Sequence, residues 1–312
     1  MSRYRTERRV ALLVVGLAIV VLILLVGTLT ATDAPLDPYN HGDAGTSRLV
    51  DASREGVVLS YTSVDGEATP ETVIIVGGGG DVTTADVAAL TRHLDSGGQV
   101  VILTEDERSN QLLAALDVET RIAAGYLLAT EQESASPTQF VVADRGDDAL
   151  GFTSVQVNAA KPLGVTDSSD GTTRRVLAWS VPAGRDLNGD GQLGAAEPRG
   201  SYPVAVVEPV GVGQVIVVGD ASLLTNGQWQ VEGNRQLARA LTEDGAMLVY
   251  PQTTGFPPVT RLRLGLDTPR GALFGLLLFC GGGVVLVWLG AWISTRDGES
   301  GSDSAVLKFT LR

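Results

Sequence analysis

The stretch from Asp186 to Glu197, DLNGDGQLGAAE, carries the side chains of a calcium-binding loop at the required spacing. Asp186, Asn188 and Asp190 stand at loop positions 1, 3 and 5, Gly191 at 6, Leu193 at 8 and Glu197 at 12. Hard oxygen donors at those positions, with the main-chain carbonyl of Gln192, can surround Ca²⁺ while Gly191 permits the sharp turn. The flanks, SVPAGR and PRGSYPVAVV, look like strands and turns, so the expectation is a lone structural calcium loop set in a hairpin. An Asx- and Gly-rich turn without metal is the alternative.

Other residues offer less. Gly77 to Gly80 follow an apolar strand, but Thr83 occupies the third glycine position of a dinucleotide fingerprint and no GK[ST] follows, so a tight βα turn is expected. Asp220 and Asn226 fall at the carboxyl end of a strand, where open α/β sheets place ligands; capping of the next loop is their competing role. His41 and His93 have no metal-ligand spacing, and His93 is expected on the polar side of its helix. No Ser/His/acid arrangement can be argued from spacing, so no catalytic residues and no organic cofactor are assigned.

These residues need a scaffold, and local patterns supply one. TVIIV from Thr72 is a buried, β-branched run, Thr83 and Asp86 form a capping box, VAALTRHLDS keeps a helical period to Gly97, and QVVIL is a second buried strand. Strands buried on both faces do not alternate, so this is a βαβ unit in a parallel sheet covered by helices on both faces. A helix is expected from about Thr46 to Glu55 and another from Asn110 to Leu116. GQVIVVGDASLLTN repeats the buried strand, with Asn234 as the cap of a following helix. Between about 139 and 207, shorter β-rich segments predict an antiparallel extension or insertion.

Two uncharged apolar runs bracket this α/β region. Residues 10–29 follow RYRTERR and are long enough to cross a bilayer; an uncleaved anchor fits better than a signal peptide, whose apolar stretch is shorter. Residues 271–293 form the second run, with Trp288 and Trp292 near its end and a GxxxG at Gly271 and Gly275. Cationic residues before the first run and Arg296 just after the second place both tails, 1–9 and 294–312, in the cytoplasm by the positive-inside rule. Residues 30–45 then read as a linker and 46–250 as the extracytoplasmic domain of a two-pass cell-membrane protein.

Charge narrows the partners. Seven of the 23 basic and four of the 36 acidic residues lie in those tails, leaving 16 against 32 in the remainder, a balance near −16. Such a field disfavours nucleic acid and favours cations. Only Lys161 and Lys308 are lysines, which, with the acidity, resembles proteins of extreme halophiles; a high-GC genome is the alternative source of the bias. The single cysteine, Cys280, lies in the second apolar run, so no disulfide framework is available.

From VIIVGGGG through HLDSGGQVVIL, and again over GVGQVIVVGDASLLTN and GNRQLARAL, the chain resembles the domain of unknown function 4350 family. These are membrane proteins whose extracytoplasmic part is similar to class I glutamine amidotransferases. The resemblance implies a flavodoxin-like α/β domain in which Gly219, Asp220, Ser222 and Asn226 match a G-D-x-S-x-x-x-N strand end. It also implies partners in a membrane complex containing an AAA-type ATPase. Amidotransferases use a Cys nucleophile, which this domain lacks, so a non-catalytic binding or assembly role is expected. The alternatives are an extracytoplasmic hydrolase at the strand edge and a calcium-stabilised sensing or adhesion module.

Overall fold

A computed structural model describes residues 32–58, 61–64, 70–78, 81–130, 139–144, 154–165 and 174–251, together with the isolated positions 16 and 152. The chain divides into two compact units, 1–261 and 262–312, and every described residue lies in the first. The apolar runs 10–29 and 271–293 lie outside the described residues apart from Gly16, as does Cys280. Among the described residues no helix is long and apolar enough to cross a membrane.

The first unit is a mixed α/β structure built on one nine-stranded sheet. Five strands, β1 (Arg54–Val58), β2 (Thr72–Val76), β3 (Gln99–Leu103), β13 (Gly213–Val218) and β14 (Ala246–Val249), run parallel in the order β1-β14-β2-β3-β13. Four more, β6 (Gln139–Asp144), β7 (Ser154–Asn158), β9 (Arg175–Ser180) and β12 (Pro203–Val210), extend it antiparallel beyond β13 in the order β12-β9-β6-β7. Outside the sheet, β4 (Arg121–Ile122) pairs with β8 (Leu163–Gly164), and β10 (Ala183–Asp186) lies between β5 (Tyr126–Ala129) and β11 (Arg199–Gly200).

The βαβ unit expected from the sequence is present. In β2 and β3 every residue after the first is buried, as strands covered on both faces require. Helix α2 (Thr84–Asp95) begins at a complete capping box: Thr83 Oγ1 accepts from the Asp86 amide, and Asp86 Oδ2 accepts from the Thr83 amide at 2.9 Å. It stops where Gly97 adopts φ +92°, a left-handed conformation that glycine takes without strain. Leu90 and Leu94 of α2 pack with Leu112 and Leu113 of α3 (Asn110–Ala115) over Val73, Ile75, Val100, Ile102, Val215 and Val217.

The return from β13 to β14 runs opposite to the step from β2 to β3. A right-handed connection therefore puts α4 (Glu232–Thr242) on the other face, where it packs against α1 (Ser47–Ser53). Ile74, Val101, Ile216 and Leu248, which alternate with the residues of the first face, are also fully or almost fully buried.

Three local expectations need correction. The first helix ends at Ser53, not Glu55, because Arg54 to Val58 pair with β14 as an edge strand. Asn234 does not cap α4, which starts at Glu232. Its buried side chain instead exchanges hydrogen bonds with the backbone of Gln156, accepting at 2.7 Å and donating at 2.8 Å. His93 is 7% exposed, not on a solvent face; its ring lies where a Cβ on Gly98 would stand 2.3 Å away, and burial lowers its pKa.

Glu208, 2% exposed on β12, ties the antiparallel extension to the segment after α3. It accepts from the amides of Glu119 at 2.6 Å and Thr120 at 3.0 Å, and from Thr120 Oγ1 at 2.8 Å. Glu208→Gln turns an amide donor toward these donors and is expected to lower stability by about 2–3 kcal/mol, read as a shift in urea midpoint at constant m-value. An unchanged midpoint would show that the three bonds contribute nothing net.

Candidate functional site

The connection leaving β3 passes to the α2 face and the one leaving β13 passes to the α4 face. The carboxyl ends of these adjacent strands therefore form a topological switch point, the crevice where open α/β sheets bind ligands. A cleft of about 610 Å³ lies there. Glu105, just past β3, forms one wall; Gln156 and Asn158 of β7 another; Ser222, Thr225 and Gln228 after β13 a third; and Pro35, Leu36, Asp43 and Ala44 the rim.

Asp220 sits behind this wall, 1% exposed. One carboxylate oxygen accepts from the Ser222 amide at 2.8 Å and its hydroxyl at 2.7 Å, and the other accepts from the Asn158 amide at 2.6 Å. Burial pushes its pKa up to about 7; the three hydrogen bonds oppose that rise and the nearby Glu105 charge adds to it. The capping role weighed for Asp220 is the one seen: it caps the short 3-10 turn Ala221–Leu224 and pins β7 beside it.

Asn226 does a related job on the segment before α1. Its amide nitrogen donates to the carbonyls of Asn40 and Gly42, both at 2.8 Å, and its Oδ1 accepts from the Arg48 amide at 3.0 Å. Residues 32–45 of the expected linker are folded against the domain: Asp37 is fully buried, as is Thr46 just after them, whose Oγ1 lies 2.7 Å from Tyr250 Oη.

The glycine turn after β2 is tight. The Gly77 amide donates to Leu103 O at 2.9 Å with φ +65°, and a Cβ on Gly78 would lie 2.5 Å from Ser109 Oγ. Gly79 and Gly80 lie outside the described residues.

The expected calcium loop leaves β10 at Asp186. Gly189 and Gly191 both take φ +75°. Asp186 accepts from their amides at 2.7 and 2.8 Å, Asn188 from Asp190 N, and Asp190 from Gln192 N. Glu197 closes the loop by accepting from the Leu187 and Gly194 amides, both at 2.8 Å. Leu193 packs over Gly184 of β10. The donor chemistry suits calcium, but as folded each carboxylate binds the loop's own N–H groups. No three His, Cys, Asp or Glu among the described residues gather as a metal site.

Glu105, Gln156, Asn158 and Gln228 were not singled out by the sequence. The only local signal was the acid-rich run TEDER at the end of a predicted strand.

Fold and cleft together define a mixed α/β domain with a largely parallel sheet and a polar crevice at its carboxyl edge. The chain belongs to the family described as Domain of unknown function (DUF4350), whose model matches residues 29–242. A search of curated proteins found no match. Among solved structures, a cytoplasmic protein from Salmonella typhimurium LT2 is 12% identical over 64% of this chain and 87% of its own, with a TM-score of 0.41. A putative ThuA-like protein from Parabacteroides merdae ATCC 43184 is 13% identical over 64% and 81%, with a TM-score of 0.38. A beta-galactosidase from Bacillus circulans sp. alkalophilus is 15% identical over 52% of this chain, which spans only 22% of that enzyme, at a TM-score of 0.31. At these scores none bears on activity.

Proposed function

We propose that this chain is a non-catalytic binding or assembly component of a membrane complex, its α/β domain held outside the cell by a span at each end. The observation that supports a binding role over a catalytic one is the state of Asp220. The carboxyl with the shifted pKa spends both oxygens on Ser222 and Asn158 and is 1% exposed, so it holds the switch point together instead of facing the cleft. The amidotransferase likeness fits the same picture: the Gly219, Asp220, Ser222, Asn226 strand end serves the architecture, and the domain contains no cysteine nucleophile. Co-purification of the tagged chain from native membranes in high salt tests the proposal; stoichiometric partner proteins are expected, and recovery of the chain alone overturns it.

A hydrolase acting at the same edge is the second reading, favoured by the titration of Asp220 near neutrality. It requires Asp220 to exchange one of its present donors for substrate.

Calcium enters as a structural ligand of Asp186, Asn188, Asp190, the Gln192 carbonyl and Glu197. The ion would have to compete with the Leu187 and Gly194 amides for Glu197. Millimolar calcium is expected to raise the melting temperature over chelator, and Glu197→Gln to abolish that rise. Superimposable melting curves would remove calcium from the account.

A further inference from the structure

Resting on the reading of the domain as a binding module, we propose that the switch-point cleft takes a small organic cation, an amine or guanidinium compound carrying several N–H donors. Glu105 carries the argument. It stands in a run of three acids whose other members are already matched: Asp106 pairs with Arg108, and Glu107 with Lys161 at 2.9 Å. Glu105 Oε2 accepts from the Ala221 amide at 2.9 Å, whereas Oε1 takes no hydrogen bond from the described residues. It has no cationic partner among them and lines the cleft.

The rest of the lining is complementary to the same ligand. Gln228 is only 8% exposed, yet its side-chain amide makes no hydrogen bond within the described structure and borders the cleft. Bordering the cleft, this amide can turn its oxygen or its nitrogen toward a ligand there. Gln156 adds a second carboxamide and Asp43 a second carboxylate at the rim, and no Lys or Arg lies among the described lining residues. The two carboxylates favour a donor-rich cation over an anion, and the carboxamides of the lining can turn their oxygens toward it. The volume of about 610 Å³ is far larger than a bare metal ion needs and suits an organic molecule.

The full chain in detergent, at fixed ionic strength, is titrated with spermidine by calorimetry, with glutamate and sorbitol as comparisons. Saturable binding of spermidine is expected, with none for glutamate. Glu105→Gln, which keeps an acceptor for the Ala221 amide, should weaken it about tenfold or more, as should Gln228→Leu. Asp95→Asn, at the end of α2 beside Gly211 and thus at the opposite edge of the sheet, should leave it unchanged. Spermidine binding that ignores Glu105 and Gln228, or falls equally in Asp95→Asn, assigns it to the acidic surface at large and overturns the proposal. Sorbitol binding as tightly as spermidine, lost in Gln228→Leu, overturns the cationic class while a ligand cleft stands. No binding of any probe by a chain that still co-purifies with partners overturns the cleft assignment and leaves the assembly reading intact.

Discussion

Asn226→Ala is expected to cost about 3–5 kcal/mol and to lower the melting temperature by about 10 °C or more. The side chain is 3% exposed and bridges two parts of the chain far apart in sequence: the loop after β13 and the segment before α1. Alanine leaves the carbonyls of Asn40 and Gly42 and the amide of Arg48 without their partner, and a buried polar group left alone costs about 1–3 kcal/mol. Asn226→Asp is the sharper companion. It keeps an acceptor for Arg48 but turns an oxygen toward two carbonyls, so it should be no more stable than the alanine variant. If both variants melt within about 2 °C of the parent, Asn226 does not hold the segment and the switch loop must be anchored elsewhere.

The second large effect is in pH dependence. An unfolded aspartate titrates near 3.8, whereas Asp220 in the folded chain titrates at about 7, chiefly because it is buried. Between those values the folded chain keeps a proton that the unfolded chain has released, so this group's contribution to stability falls as pH rises from about 4 to 7 and is level above. The whole excursion is on the order of 4 kcal/mol. Asp220→Asn removes the titration and, like the protonated acid, offers one carbonyl acceptor to the Asn158 and Ser222 donors. The parent's stability relative to the variant should then fall as pH rises from about 4 to 7 and stay level above. Urea midpoints of the two proteins at half-unit steps from pH 4 to 8 measure that difference directly. A difference independent of pH would show that Asp220 is ionised throughout.

Local chemistry explains which parts of the fold were legible. The β2–α2–β3 unit is written in neighbouring residues: a β-branched run, a reciprocal cap at Thr83 and Asp86, and a glycine stop at Gly97. Where an outcome depended on a distant partner, local pattern misled. Arg54 and Glu55 read as the end of a helix, but the stretch from Arg54 to Val58 finds β14 nearly two hundred residues later, and strand pairing wins. Asn234 has the composition of a cap, yet the exposed backbone of Gln156 offers its amide a better match inside the helix. His93 reads as a residue of the polar side of its helix; the missing side chain of Gly98 opens the space that buries it.

The site divides along the same line. Asp220 and Asn226 could be noticed because they end a strand that the sequence announces. Glu105 becomes distinctive only when Arg108 and Lys161 are seen to choose Asp106 and Glu107, and Gln228 only when its amide is found at the cleft without a partner. Neither property has a spacing that a sequence displays.

Pro35, Leu36, Asp43 and Ala44 rim the cleft, and the same short segment is fastened to the body by Asn226. Tension arriving along the chain from residues before 32 would meet that fastening before it reached any strand of the sheet. Loosening that fastening would open the rim without breaking any strand pairing, so a pull on the segment would bear on cleft occupancy.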